Sequence, residues 1–196
     1  MKFAKCYKVP DEQKICESYQ INGNKIKSNI ETENIKKIIK DFIANVEFPI
    51  FFFIETPCTR QEEEKLNSPS SFRFHKNIYY LDYCSAELAE HIIANDLDIL
   101  LNCGMCEFGF GSINRDEIYV CKYNVVNFFS ENIQKYQQLL NKHNIPQTDK
   151  ITTVWDTINN SNPADVFLTK INGLNYSDLM PKYFKNGMYL YKTIES

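Results

Sequence analysis

At 196 residues, with 24% charged side chains and a formal net charge of −3, the chain has the size and balance of one folded domain. A chain of this length buries roughly 70% of its unfolded surface, so it needs no disulfide or metal staple to fold. The acidic balance, with arginine only at positions 60, 73 and 115, leaves no basic footprint for nucleic acid.

Cysteines at 6, 16, 58, 84, 103, 106 and 121 form an odd, scattered set and not a paired framework. The N-terminus lacks the apolar stretch of a secretion signal. The most apolar run, Phe48 to Ile54, is too short to span a bilayer. These features predict reduced thiols, a cytoplasmic location and no membrane contact.

In chain order, Lys2 to Val9 reads as a first strand, closed by Pro10. Asn22-Gly23-Asn24 signals a hairpin turn. Glu31 to Val46 carries apolar residues at 35, 38, 39, 42, 43 and 46, the spacing of a helix with one buried face, with Thr32 as its cap. Ile50 to Ile54 is short, apolar and aromatic, which predicts a strand buried on both faces. Residues 57–76 combine the charge run Gln61 to Lys65 with the polar stretch Asn67 to Ser71; they predict a solvated connection or, alternatively, an acidic docking loop. Asn77 to Tyr83 follows as a strand, then a helix capped by Ser85 and ended at Asn95-Asp96. Leu97 to Leu101 is apolar and of undetermined type.

Cys103 to Ser112 joins a Cys-x-x-Cys to a glycine-spaced turn, and Glu117 to Phe129 is the longest β-prone run. Ser130 caps a helix from Glu131 to His143, stopped by Asn144 and Pro146. Ile151 to Ile158 reads as a strand holding Trp155, and Val166 to Ile171 as another. Ser177 caps a short last helix, and Met188 to Ile194 is a closing strand. Strands and helices do not alternate regularly. The predicted class is α+β, a largely antiparallel sheet packed with about four helices. It forms a single domain over 1–196, with 1–47 as an N-terminal extension or subdomain in the alternative.

Four constellations carry candidate chemistry. Cys103 and Cys106 are expected to be two small thiols at a turn. Zinc would want a second pair, and a thioredoxin-like site would place the pair where a strand meets a helix, whereas Glu107-Phe-Gly-Phe-Gly111 after it starts a helix poorly. Gly109-Phe-Gly-Ser112 lacks the third glycine of a dinucleotide loop and precedes a strand, so a hairpin loop is expected. Glu107, Asp116, Glu117, Asp156 and Asp165 lie near turns or strand ends, where two of them would suit acid–base work only if the fold brought them together. His75, His91 and His143 show no spacing with a nucleophile or metal motif. Aromatic residues make up 14% of the chain, and Phe108, Phe110, Tyr119, Tyr123 and Trp155 gather around the glycine segment. Large aromatics of this kind serve as interface anchors.

At Phe108-Gly-Phe-Gly-Ser112, Lys122-Tyr-Asn-Val-Val126, Asn144-Ile-Pro146 and Val154-Trp-Asp-Thr157 the chain resembles a family of small, uncharacterised bacterial cytosolic proteins. The resemblance covers residues 48–196 and carries over no active-site signature. More loosely, an acidic α+β chain of this kind resembles the immunity proteins that neutralise toxins of bacterial competition systems. That resemblance implies a non-enzymatic, antitoxin-like protein that occludes a protein partner's site, for instance on a basic toxin domain. The partner-binding face is expected at Phe108, Phe110, Tyr123, Trp155 and Asp156. The alternative is a small cytosolic enzyme using Cys103 and Cys106, or paired carboxylates in a cleft. A structural or regulatory protein with no toxin partner is a further alternative. No cofactor, metal, nucleic acid or membrane partner is expected.

Overall fold

The structure, a computed structural model, describes residues 1–67 and 72–195. The chain opens with a short strand, β1 (Tyr7–Lys8). A hairpin of β2 (Ser18–Asn22) and β3 (Lys25–Asn29) then forms across Gly23, as the turn signal requires. Helix α1 (Thr32–Ala44) buries Ile35, Ile38, Ile39, Phe42 and Ile43, the stripe its spacing dictates. Thr32 is not its cap; Thr32 Oγ1 accepts a hydrogen bond from the Asn124 side chain instead.

Strand β4 (Ile50–Pro57) leads to α2 (Arg60–Leu66) and β5 (His75–Cys84). Ser85 caps α3 (Ala86–His91). This helix does not stop at Asp96: a π turn over Ile92–Asp96 carries it into α4 (Leu97–Asn102). A polar residue is tolerated inside because the buried Asp96 carboxylate accepts hydrogen bonds from Lys182 Nζ at 2.6 Å and Tyr183 Oη at 3.0 Å. The order then runs β6 (Glu107–Ser112), β7 (Glu117–Val120), β8 (Val125–Phe129), α5 (Ile133–Lys142), β9 (Asp165–Val166), α6 (Tyr176–Lys185) and β10 (Tyr189–Glu195).

Eight strands form one antiparallel sheet in the order β10-β5-β4-β6-β7-β8-β3-β2, while β1 and β9 pair apart. Residues directly opposed across strands share a face. One row, Leu81, Phe52, Phe110, Ile118, Phe128, Ile26 and Ile21, packs under α1, the α3–α4 helix, α5 and α6. Phe52 meets Tyr183 there, and Tyr136 stacks on both Phe42 and Phe128. The neighbouring row, Tyr80, Phe53, Gly109, Tyr119, Asn127, Lys27 and Gln20, points the other way. Among the described residues no helix packs on that side. The fold is α+β, and β2, β3 and α1 are built into the main sheet and core rather than forming an N-terminal subdomain.

The sheet's two edges differ. At β2, Tyr19 N–H donates to Pro146 O and Thr148 N–H donates to Tyr19 O, so the following segment occupies that edge. The outer edge of β10 pairs with no described strand.

Several expectations change. Gly109 to Ser112 is strand, not turn; the β6–β7 turn lies at 113–116 with Arg115 at φ 62°. The run Glu117 to Phe129 breaks at Lys122–Asn124, where Tyr123 and Asn124 both adopt φ 59°. Asn124 is held there by its own side chain, which accepts from Ala4 N–H and donates to Ile30 O. Ile151 to Ile158 is not a strand but holds a 3-10 turn, Val154–Asp156. Asp156 accepts from the backbone and hydroxyl of Thr153 there, both at 2.7 Å. The first strand shrinks to β1, and Val166 to Ile171 to β9. Asn175, not Ser177, caps α6, and α5 starts at Ile133. Residues 60–66 form a helix closed by a Thr59–Glu62 capping box, making five continuous helices among the described residues where about four were expected. Apart from Asn67, the loop expected over Asn67–Ser71 lies outside the described residues.

Candidate functional site

The uncovered face of the sheet is organised by two missing side chains. Gly109 and Gly111 of β6 lie opposite Phe53 and Phe51 of β4. A Cβ at 109 would stand 2.5 Å from the Phe53 ring, and a Cβ at 111 would overlap the Phe51 ring. The rings therefore lie across the glycines and fill the trough they leave. Tyr80 packs on both, with centroids 5.5 Å from Phe51 and 5.6 Å from Phe53. Phe53 meets Tyr119 at 5.3 Å, and Tyr80 meets Tyr191 at 5.3 Å. Five rings thus cross β10, β5, β4 and β7, and Tyr191 at the outer end is 58% exposed.

Carboxylates stand among these rings. Glu55 of β4 and Glu107 of β6 are direct cross-strand partners. Lys76 pairs with both, its Nζ 3.5 Å from Glu107. Glu117 of β7 is half-buried on the same face; burial, then the charge of Glu55, pushes its carboxyl above the usual range. Two carboxylates, on β4 and β6, thus share one ammonium group, and Glu117 on β7 stands beside them. Burial, reinforced by the charge of Glu107, also pushes the Tyr119 hydroxyl up and holds it neutral. Two further polar atoms of this face, Asn127 Oδ1 and Asn29 Oδ1, are buried without a hydrogen-bond partner.

The rim at β2 and β3 is built by the segment after α5. Ile151 N–H donates to the Gln20 side chain, and Asn29 Nδ2 donates to Thr152 O at 2.7 Å. Trp155 follows, 51% exposed, standing edge-on to Tyr123 with centroids 4.9 Å apart. Tyr123 in turn packs on Tyr7. The two Thr153 hydrogen bonds hold the exposed Asp156 carboxyl below the usual range.

Of the residues expected on a partner face, Trp155 and Asp156 are exposed, and the 3-10 turn allows this where a regular strand would have sent one inward. Tyr123 is buried beneath Trp155. Phe108 and Phe110 are buried in the helix-covered row, so they are core and not surface anchors. Phe51, Phe53, Tyr80 and Tyr191 were missed as members of this face. For Phe51 and Phe53 the signal was their period-two match with Gly109 and Gly111.

The remaining candidates are dispersed. Asp116 accepts from Ser130 Oγ at 2.5 Å and Lys135 Nζ at 3.0 Å, and Asp165 lies 3.9 Å from Lys8. His143 contacts Asp41 at 2.9 Å, and His91 is exposed beside Asn95. His75 contacts the buried Glu63 at 2.8 Å, at the edge of a cleft of about 780 Å³ lined by Cys58, Phe72, Phe74 and Lys122. Burial, then the charges of Glu62 and Glu63, pushes the Cys58 thiol up to about 11, so it stays protonated at neutral pH. Cys103 and Cys106 are both buried. Among the described residues no group of three or more His, Cys, Asp or Glu is placed to hold a metal ion.

No family model, curated protein or solved structure matches the chain. The class that the fold defines is α+β, with an antiparallel sheet that carries its α-helices on one side only among the described residues. No helix among the described residues is long and apolar enough to cross a membrane.

Proposed function

We propose that the chain is a non-enzymatic binding protein of the immunity or antitoxin type, and that the uncovered face of its sheet occludes a basic site on a protein partner. One observation carries this reading: five linked rings, with the carboxylates of Glu55, Glu107 and Glu117 among them, occupy the side of the sheet on which no α-helix packs. An arginine or lysine of the partner seated there would meet Glu55, Glu107 and Glu117 together with the faces of Tyr80 and Tyr119. Both charge pairing and cation–π attraction favour that contact. Trp155 at the rim supplies an aromatic anchor of the sort that dominates interface energetics. The enzymatic reading, with Cys103 and Cys106 or a carboxylate pair at work in a cleft, is less well supported, because both cysteines are buried and the carboxylate pair on the sheet is already bridged by Lys76.

The test is capture by the tagged full-length chain from native lysate, repeated with Glu117→Gln and Tyr191→Ala and with Lys37→Ala on α1 as control. The expected partner is basic, is released by raised salt, and is lost with the face variants but kept by the control. Equal capture by all four chains would remove this face from the proposal.

A further inference from the structure

The Cys-x-x-Cys segment is not part of the uncovered face, and its geometry carries an independent inference. Cys103 ends α4 and Cys106 directly precedes β6. Gly104 turns the chain between them at φ +73°. A side chain at 104 would run into the Phe167 carbonyl and come within 3.0 Å of the Cys6 Cβ, so the turn is packed against its cover. The turn brings the sulfurs of Cys103 and Cys106 to 2.7 Å, within an ångström of the roughly 2.05 Å of a sulfur–sulfur bond. Cys106 N–H also donates to Cys103 Sγ, at 3.3 Å.

We propose that Cys103 and Cys106 are a reversible dithiol–disulfide pair, oxidised by small hydroperoxides, with Cys103 as the attacking sulfur and Cys106 as the resolving one. The Cys103 thiolate attacks the peroxide oxygen, forming a sulfenic acid and releasing water, or an alcohol from an organic hydroperoxide. Cys106 then attacks the sulfenic sulfur; the S–S bond forms, the S–O bond breaks and a second water leaves. With hydrogen peroxide the balance is two thiols plus one peroxide giving one disulfide plus two waters. A low-molecular-weight thiol reverses the step by exchange.

The roles follow from the hydrogen bonds. The Cys106 backbone N–H donates to the Cys103 sulfur, the two sulfurs share a hydrogen bond in which either can donate, and the contact with Cys106 holds the Cys103 ionisation below that of an ordinary thiol. This outweighs its place at a helix C-terminus, which by itself disfavours a thiolate. Cys106 has the opposite environment, since burial pushes its thiol well up. Cys6, pushed up to about 12 by burial and then by Cys103, is a poor competitor for either role.

The choice of oxidant follows from access. Both sulfurs are buried, so an oxidant reaches them only when their cover opens. A peroxide, little larger than water, needs a smaller opening than a protein or glutathione disulfide. The cover is also slight. β1 and β9 pair over two residues each, and Phe167 N–H to Cys6 O and Thr169 N–H to Cys103 O complete it. So short a ladder opens far more cheaply than the main sheet.

The test uses the full chain treated with hydrogen peroxide in small molar excess, then alkylated and mapped by peptide mass spectrometry. The expected product lacks two hydrogens between Cys103 and Cys106 and regains them with dithiothreitol. In Cys106→Ser, a dimedone adduct should form at Cys103. The wild-type map alone decides the pairing if the variant does not fold. Oxidation of the exposed Cys16 with 103 and 106 left reduced would overturn the proposal, as would a disulfide from Cys6 to either.

Discussion

Phe53 lies flat over Gly109, its ring filling the volume that any side chain at 109 would need. The glycine-phenylalanine alternation of β6 is thus half of a two-strand device: β4 supplies the rings and β6 supplies the room. Phe108 and Phe110 take the opposite face and serve the core.

The two glycines should respond differently to substitution. Gly109→Ala is expected to cost about 1–3 kcal/mol by overpacking. Phe53→Ala should not restore it, because the Ile118 carbonyl also blocks the new Cβ. The three atoms nearest a Cβ at 111 all belong to the Phe51 ring, so the Gly111→Ala penalty should largely disappear in a Phe51→Ala background. Urea denaturation of the two double-mutant cycles checks this, and equal coupling in both cycles would contradict it.

Asp96 and Lys182 should also be unequal partners. Lys182→Met leaves the buried Asp96 carboxylate with Tyr183 alone, and is expected to cost about 3–5 kcal/mol. Asp96→Asn leaves Lys182, whose side chain is 33% exposed, free to reach water, and should cost about 1–3 kcal/mol. A reversed order in denaturant midpoints would place the charge balance of this π turn elsewhere.

Glu63 and Glu117 should give pH dependences of opposite sign. The hydrogen bond from His75 holds the Glu63 carboxyl below its unfolded value. Its stabilising contribution is therefore full above the unfolded value, near pH 4.3, and is lost as pH falls through the folded one. Burial holds Glu117 above its unfolded value, so its charged form destabilises the fold at neutral pH and ceases to do so once protonated. Glu63→Gln should lower the melting temperature at pH 7 and flatten the acid side. Glu117→Gln should raise it at pH 7, with the gain vanishing on acidification. Thermal melts from pH 7 to pH 3 read both signs.

On the proposed face, Tyr191→Ala and Trp155→Ala are each expected to weaken partner capture by about 1–3 kcal/mol. Both side chains are half exposed, so melting should hardly change. Titration of the purified partner measures the loss. Unchanged affinity in both variants would move the interface off this side of the sheet.

How legible the chain was depended on which physical signal dominated locally. α1, β4, β5 and β10 follow from apolar spacing, and the structure places them within a few residues of expectation. α2 was missed although Thr59-x-x-Glu62 is a capping-box pattern, because charge density suggested a solvated segment. The same pattern at Thr153-x-x-Asp156 marked the 3-10 turn, but the β-prone residues around Trp155 hid it. The break at Tyr123 and Asn124 depends on Asn124 reaching the N-terminal segment and the end of β3, a long-range contact that no local pattern records. The candidate face was illegible for a related reason. Its residues are near in space only once β10, β5, β4 and β7 have assembled out of sequence order.

The unequal edges of the sheet bear on how the molecule would behave at high concentration. The β10 edge is an unused template for a further strand, and its side chains are nearly all exposed. The β2 edge is interrupted where Tyr19 is taken by residues 146 and 148. Strand-by-strand growth therefore starts more readily at β10 than at β2. Two molecules joined β10 to β10 would use up the more open edge of each, and any further addition would have to begin at a β2 edge already interrupted at Tyr19.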